Sequence, residues 1–171
     1  MSIKVKNSGY SLVEMIIYVA ILSAISAIVV NMLLSLTGSY RTISALRIAE
    51  HSGIDSMERM TRDIRGATSV DTGNSTLNSS PGVLTLISTI NFVSTTTKFY
   101  VQNGVLKVDI NGSYFGPLTL SNTLVTNLVF RLLNSGTSNA VKIDLTVQGT
   151  VGATTKTKTY HSTVILRGEG S

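Results

Sequence analysis

The sequence predicts an α+β fold: a long N-terminal helical spine, membrane-embedded in its first half, packed against a C-terminal antiparallel β-sheet head. Three observations predict it. Between Lys6 and Arg41 only Glu14 carries a charge, and the run from Met15 to Leu36 is dominated by Ile, Val, Leu, Met and Ala. That run is long enough for a bilayer core, which takes about 20 apolar residues. Farther on, apolar residues recur at helical spacing up to Ile64. From Val83 the period changes to two, broken by Asn103-Gly104 and Asn111-Gly112, dipeptides that favour tight hairpins.

Composition fits this plan. A chain of 171 residues holds one domain plus an anchor. Charged residues make up only 13% and mean hydropathy is +0.30, which the apolar run partly explains. The net charge of +5 includes Lys4 and Lys6, which precede the apolar run, so the remainder is mildly basic and a weak argument for nucleic acid. There is no Cys, so the head must be held by its core rather than by disulfides.

Residues 1–9 read as a removable basic leader. Lys4 and Lys6 mark the side expected to stay cytoplasmic, which leaves the head outside. The helix is expected over 10–66, in two halves. The half at 10–38 is apolar all round, as lipid requires, with small residues spaced by four at Ala20 and Ala24 and at Ser23 and Ala27. The half at 39–66 is amphipathic, with Ile43, Leu46, Ile54, Met57, Thr61 and Ile64 as its expected buried stripe. Asp55 with Arg59, and Glu58 with Arg62, are spaced for helix ion pairs. Gly38 and Gly53 read as weak points, each costing about 1 kcal/mol against Ala.

The head is expected over 67–171. Thr68 to Gly82 reads as a loop rich in Ser, Thr, Asn, Asp and Gly. Strand candidates are Val83 to Ile87, Ile90 to Val93, Lys98 to Gln102 and Val105 to Ile110, followed by segments at Tyr114-Phe115 and Pro117 to Leu120. Leu128, Phe130 and Leu132 alternate through the next strand. Val141, Ile143, Leu145 and Val147 alternate with Lys142, Asp144, Thr146 and Gln148, the mark of a sheet with one buried face. Lys156 to Arg167 closes the chain, its Lys residues suited to a sheet edge.

Glu14 is the chemical oddity. An acid at mid-membrane costs roughly 2.5 to 3.5 kcal/mol, so an ordinary anchor would do better without it. Its setting is equally particular. The small pair Ser8-Gly9 stands before the apolar run, not after it as in a secretory signal peptide. A cut after Gly9 keeps the helix and starts the mature chain at Tyr10.

The basic leader, Gly9, Ser11-Leu12-Val13, Glu14 and the long apolar helix together resemble the signal of type IV pilins and type II secretion pseudopilins. The resemblance implies cleavage between Gly9 and Tyr10 by prepilin peptidase, and N-methylation of the new Tyr10 amine. It implies that Glu14 meets the N-terminal amine of a neighbouring subunit during filament assembly. The sequence departs from the family in having Tyr10 where Phe is usual, Asn31 where major pilins often have a helix-kinking Pro, and no C-terminal disulfide. The stretch from Met57 to Val70 loosely resembles minor pseudopilins of the J class.

Chemistry elsewhere is sparse. His51 and His161 lie in no metal-ligand spacing, and no nucleophile elbow or phosphate loop occurs. Asp109-Ile110-Asn111-Gly112 is better read as a hairpin turn than as the start of a calcium loop. Lys98, Lys107, Arg131, Lys142, Lys156 and Lys158 are scattered, so nucleic acid is not an expected partner. No enzyme activity, cofactor or metal is expected. The resemblance implies a structural subunit, a minor one, of a type IV pilus-like or type II secretion filament. It is held by a single pass in the inner (cytoplasmic) membrane before it joins a filament outside. The implied partners are prepilin peptidase, other pilin-like subunits and a membrane assembly platform. The alternatives are a major pilin and a membrane-tethered β-domain binding module that never polymerises.

Overall fold

The computed structural model describes residues 11–90, 93–134 and 139–166. Among these residues are one helix, α1 (Leu12–Gly66), and eight strands after it: β1 (Ser69–Val70), β2 (Leu84–Ile90), β3 (Val93–Gln102), β4 (Val105–Ile110), β5 (Ser113–Pro117), β6 (Thr123–Asn134), β7 (Asn139–Val151) and β8 (Thr154–Ile165). The chain divides into two compact units between Tyr40 and Arg41. The helix passes through that division, and each unit has its own physical character.

In the first unit the large apolar side chains of the helix are exposed. Leu22 is 65% exposed, Ile28 67% and Leu34 67%. The expected apolar half is helical from Leu12 onward. Its hydroxyls turn inward to the backbone where they can: Ser23 Oγ donates to the Ala20 carbonyl at 2.8 Å, and Thr37 Oγ1 to that of Leu33 at 2.9 Å.

In the second unit the helical part from Arg41 to Gly66 packs on two antiparallel sheets. One has strand order β1-β2-β3-β4-β5 and the other β6-β7-β8. The single expected sheet is thus two. Hydrogen bonds join them directly: Val125 N–H donates to the Gly104 carbonyl at 2.7 Å, and the loop before β2 reaches β6 through Asn78 N–H to Phe130 O and Gly82 N–H to Leu128 O, both at 2.8 Å. A common core fills the space between sheets and helix, with Met60, Ile64, Leu84, Leu86, Phe99, Leu106, Leu128, Phe130, Ile143 and Leu145 fully buried. Each such side chain contributes about 1.5–3 kcal/mol of burial.

The buried stripe of the helix shares Ile64 with the expected one, with Met57 partly buried beside it, and otherwise differs. It runs through Ala45, Ala49, Ser52, Gly53, Ser56, Met60 and Ile64. Ile43 and Ile54 instead stay about half exposed, at 52% and 50%. The reason is distance. A Cβ on Gly149 of β7 would lie 2.3 Å from the Ala45 carbonyl oxygen and 2.8 Å from the Ala49 nitrogen, so helix and sheet backbones nearly touch. Only small residues fit such a seam. Gly53 is part of it: its missing Cβ would sit 2.1 Å from Cε2 of Tyr160. It serves packing and is no weak point. Ser52 and Ser56 tie the helix to the segment before β6. Ser52 Oγ accepts from Leu120 N–H at 3.1 Å, and Ser56 Oγ donates to the Leu118 carbonyl at 3.2 Å.

The turns follow the sequence closely. Asn103 and Gly104 have φ of 53° and 74° and join β3 to β4, with Gln102 opposite Val105. Asn111 and Gly112, at 51° and 78°, join β4 to β5 in the same manner. Positive φ at both central residues is what a two-residue hairpin of type I′ demands. Of the expected strand at Ile90 to Val93, residues 91 and 92 lie outside the described residues; Ile90 ends β2 and Val93 opens β3, paired opposite each other. The expected loop at Thr68 to Gly82 contains β1 and an isolated bridge between Thr76 and Val83.

Candidate functional site: the N-terminal helix and Glu14

Glu14 lies in the first turn of α1, where the helix dipole favours an anion. Tyr18, one turn on, donates its hydroxyl to Glu14 Oε1 at 3.1 Å. The helix places both on one face because they are four residues apart. This contact was not foreseen from the sequence, although the spacing could have shown it. It gives the carboxylate one donor from its own chain and leaves it capacity for more, since an ionised carboxylate accepts at both oxygens. Gly9 and Tyr10, the expected cleavage and methylation residues, lie outside the described residues.

Around Glu14 every described position from Ser11 to Tyr40 is exposed except Glu14 itself, which is half-buried. Leu12 is 76% exposed. A soluble monomer rarely shows apolar surface on this scale, and when it does the surface belongs against lipid or another protein. By length and composition this helix can cross a membrane.

Residues 4–30 carry the prokaryotic N-terminal methylation motif. This is a type IV pilin-like signal, and it covers Gly9, Tyr10 and Glu14 together with the first turns of the apolar helix. The motif ends at residue 30, so the head lies outside the match. No curated protein and no solved structure matches the chain. The motif and the apolar helix together are consistent with membrane anchoring.

In the head the other polar groups fall into separate places. Asp144, almost buried in β7, is flanked across the sheet. His161 Nδ1 lies 2.7 Å from its Oδ1, and the Arg131 guanidinium forms an ion pair with its Oδ2. This cluster was also missed in the sequence, because β6, β7 and β8 bring it together only through their register. Among the described residues no group of three or more His, Asp or Glu is placed to hold a metal ion. Asp109 accepts from the Tyr100 hydroxyl at 3.0 Å, and Asn111 Oδ1 accepts from Thr96 N–H at 2.8 Å, so both serve the hairpin.

The scattered cations are divided between the two sheets. Lys98 and Lys107 stand over the rings of Tyr100 and Tyr114 on the larger sheet. Arg131 and Lys142 are register partners on the smaller one. Lys158, on the opposite face of β8 from His161, is 4.0 Å from Glu50 of the helix. Arg59 pairs forward with Asp63 at 2.8 Å and not back with Asp55.

Proposed function

We propose that this protein is a structural subunit of a type IV pilus-like or type II secretion-like filament, and that its work is assembly, not catalysis. The observation that carries this reading is a methylation motif running directly into a helix whose large apolar side chains are exposed. Prepilin peptidase cuts between Gly9 and Tyr10 and methylates the Tyr10 amine. Before assembly the helix crosses the inner membrane once, with Lys4 and Lys6 cytoplasmic and the head outside. In the filament the helix exchanges lipid for neighbouring helices, and Glu14 meets the Tyr10 amine of an adjacent subunit. Burying one unpaired charge is expensive, whereas two opposite charges offset each other where water is excluded. Tyr18 supports this reading by fixing the carboxylate with one hydrogen bond and leaving the rest of it free. The reading extends to a minor subunit, supported by the absence of proline in the apolar run and by the loose J-class resemblance of Met57 to Val70.

Two measurements test it. Mass spectrometry of the purified protein is expected to show an N-methylated Tyr10 end; an intact Met1 end would point to a tethered β domain that does not polymerise. Glu14→Ala is expected to leave the protein in the membrane while abolishing its co-purification with other pilin-like subunits. Normal incorporation of this variant would sink the proposed role of Glu14.

A further inference from the structure

The hydroxyls in the apolar half of α1 are used in two ways. Ser23 and Thr37 turn theirs back to backbone carbonyls of the preceding turn. Tyr18, the one aromatic residue between Met15 and Leu36, sends its hydroxyl to Glu14 Oε1 instead. A phenol in an apolar layer needs an acceptor, and a carboxylate there needs donors. The spacing of four residues meets both needs within one chain.

A neutral donor differs from a cation at this place. A basic side chain one turn after Glu14 would cancel its charge inside one subunit and leave it no need of another. A phenol hydroxyl satisfies one oxygen and leaves the negative charge in place. It also limits the movement of the carboxylate. Glu has a long, freely rotating side chain, and holding one oxygen orders it before a partner arrives. The cost of that ordering then does not fall on the contact between subunits.

We propose that Tyr18 is the positioning residue of the contact between subunits: its hydroxyl holds Glu14 Oε1 and leaves Oε2 for the N-methylated Tyr10 amine of the adjacent subunit. This rests on the filament reading and deepens it, by adding a residue to the site and by giving each carboxylate oxygen its own donor. The amine donates to Oε2 while the phenol stays on Oε1. The carboxylate then has a donor on both oxygens and its charge is offset where water is excluded.

The test compares the native protein, Tyr18→Phe and Glu14→Ala, each expressed as the full chain beside the other pilin-like subunits. Tyr18→Phe removes the hydroxyl oxygen and keeps the ring. Mass spectrometry follows leader removal and N-methylation, and co-purification follows incorporation. NMR of the processed protein in micelles follows the carboxyl carbon resonance of Glu14, assigned by its absence from Glu14→Ala. Tyr18→Phe is expected to be processed and inserted normally, to move the Glu14 resonance, and to incorporate about tenfold less, the order of one hydrogen bond to a charged group. A ring that only packs, or only anchors the helix at the membrane surface, changes incorporation without moving that resonance. The proposal is overturned if the Glu14 resonance stays in place, if Tyr18→Phe incorporates like the native protein, or if it is not processed. Should Glu14→Ala stay out while Tyr18→Phe enters normally, this proposal alone falls. Should Glu14→Ala enter normally, the assembly role of Glu14 falls with it.

Discussion

The two stretches of α1 on either side of Tyr40 invert the usual relation between size and burial. Before it, Ile, Leu and Val on every side are about half exposed or more. After it, the residues shut away from solvent are chiefly Ala, Ser and Gly. Burial therefore follows the partner and not the hydrophobicity of the residue. The early stretch needs a partner that is fluid or repeated, such as lipid or another subunit, and bulky side chains give it the most contact. The later stretch has a fixed partner, the sheet, at backbone distance, and bulky side chains would push it away.

The sharpest way to break this contrast is to put the same side chain into the seam and into the free helix. Gly149→Val places a Cβ 2.3 Å from the backbone oxygen of Ala45, which cannot swing aside. It is expected to cost the head about 3 kcal/mol, read as a lower urea midpoint of the full chain in micelles. Gly38→Val meets nothing within 4 Å and should leave that midpoint unchanged. Equal effects would end the comparison.

A milder intrusion sharpens it. Gly53→Ala meets the Tyr160 ring, which a rotamer change can partly withdraw. About 1–2 kcal/mol should be lost, and Tyr160→Ala in the same chain should remove much of the added penalty. A double-mutant cycle showing no coupling would mean that Gly53 is small for another reason.

The same ring offers a weaker, pH-dependent reading. Burial, with a smaller contribution from the charge of Glu50, raises the Tyr160 pKa above that of an ordinary tyrosine. The folded state thus favours the neutral phenol. Its contribution is fully present below the unfolded pKa, about 10, and is lost as pH rises through the folded value. Tyr160→Phe should flatten the fall in head stability above pH 10, followed by thermal melts. The smallest effect belongs to the early stretch: Leu22→Ala or Ile25→Ala should change head stability by less than about 0.5 kcal/mol, because both side chains are more than half exposed.

What the sequence discloses follows from how local each cause is. The apolar run, the two Asn-Gly hairpins and the alternation in β7 are written in neighbouring residues, and the structure has all three. The helix stripe was legible at Ile64 and partly at Met57, but not elsewhere, because hydrophobic periodicity weights large residues, while here Ala45, Ala49 and Gly53 mark the contact. The division into two sheets, the Tyr160 ring over Gly53 and the Arg131–Asp144–His161 cluster all depend on strands far apart in the chain. No window of neighbouring residues contains that information. At the candidate site the reverse holds. Glu14 stands out by charge alone, and even its unforeseen partner Tyr18 is only one turn away.

The turn at Gly104 has a mechanical consequence. Its carbonyl holds Val125, and the side chain of Leu124 lies so close that an added Cβ would be 2.0 Å from Leu124 Cδ1. The larger sheet is thereby pinned to the start of the smaller one where β6 begins. Heat should not peel one leaf from the other; the head should melt in one cooperative step, and a pull on either leaf is shared by both.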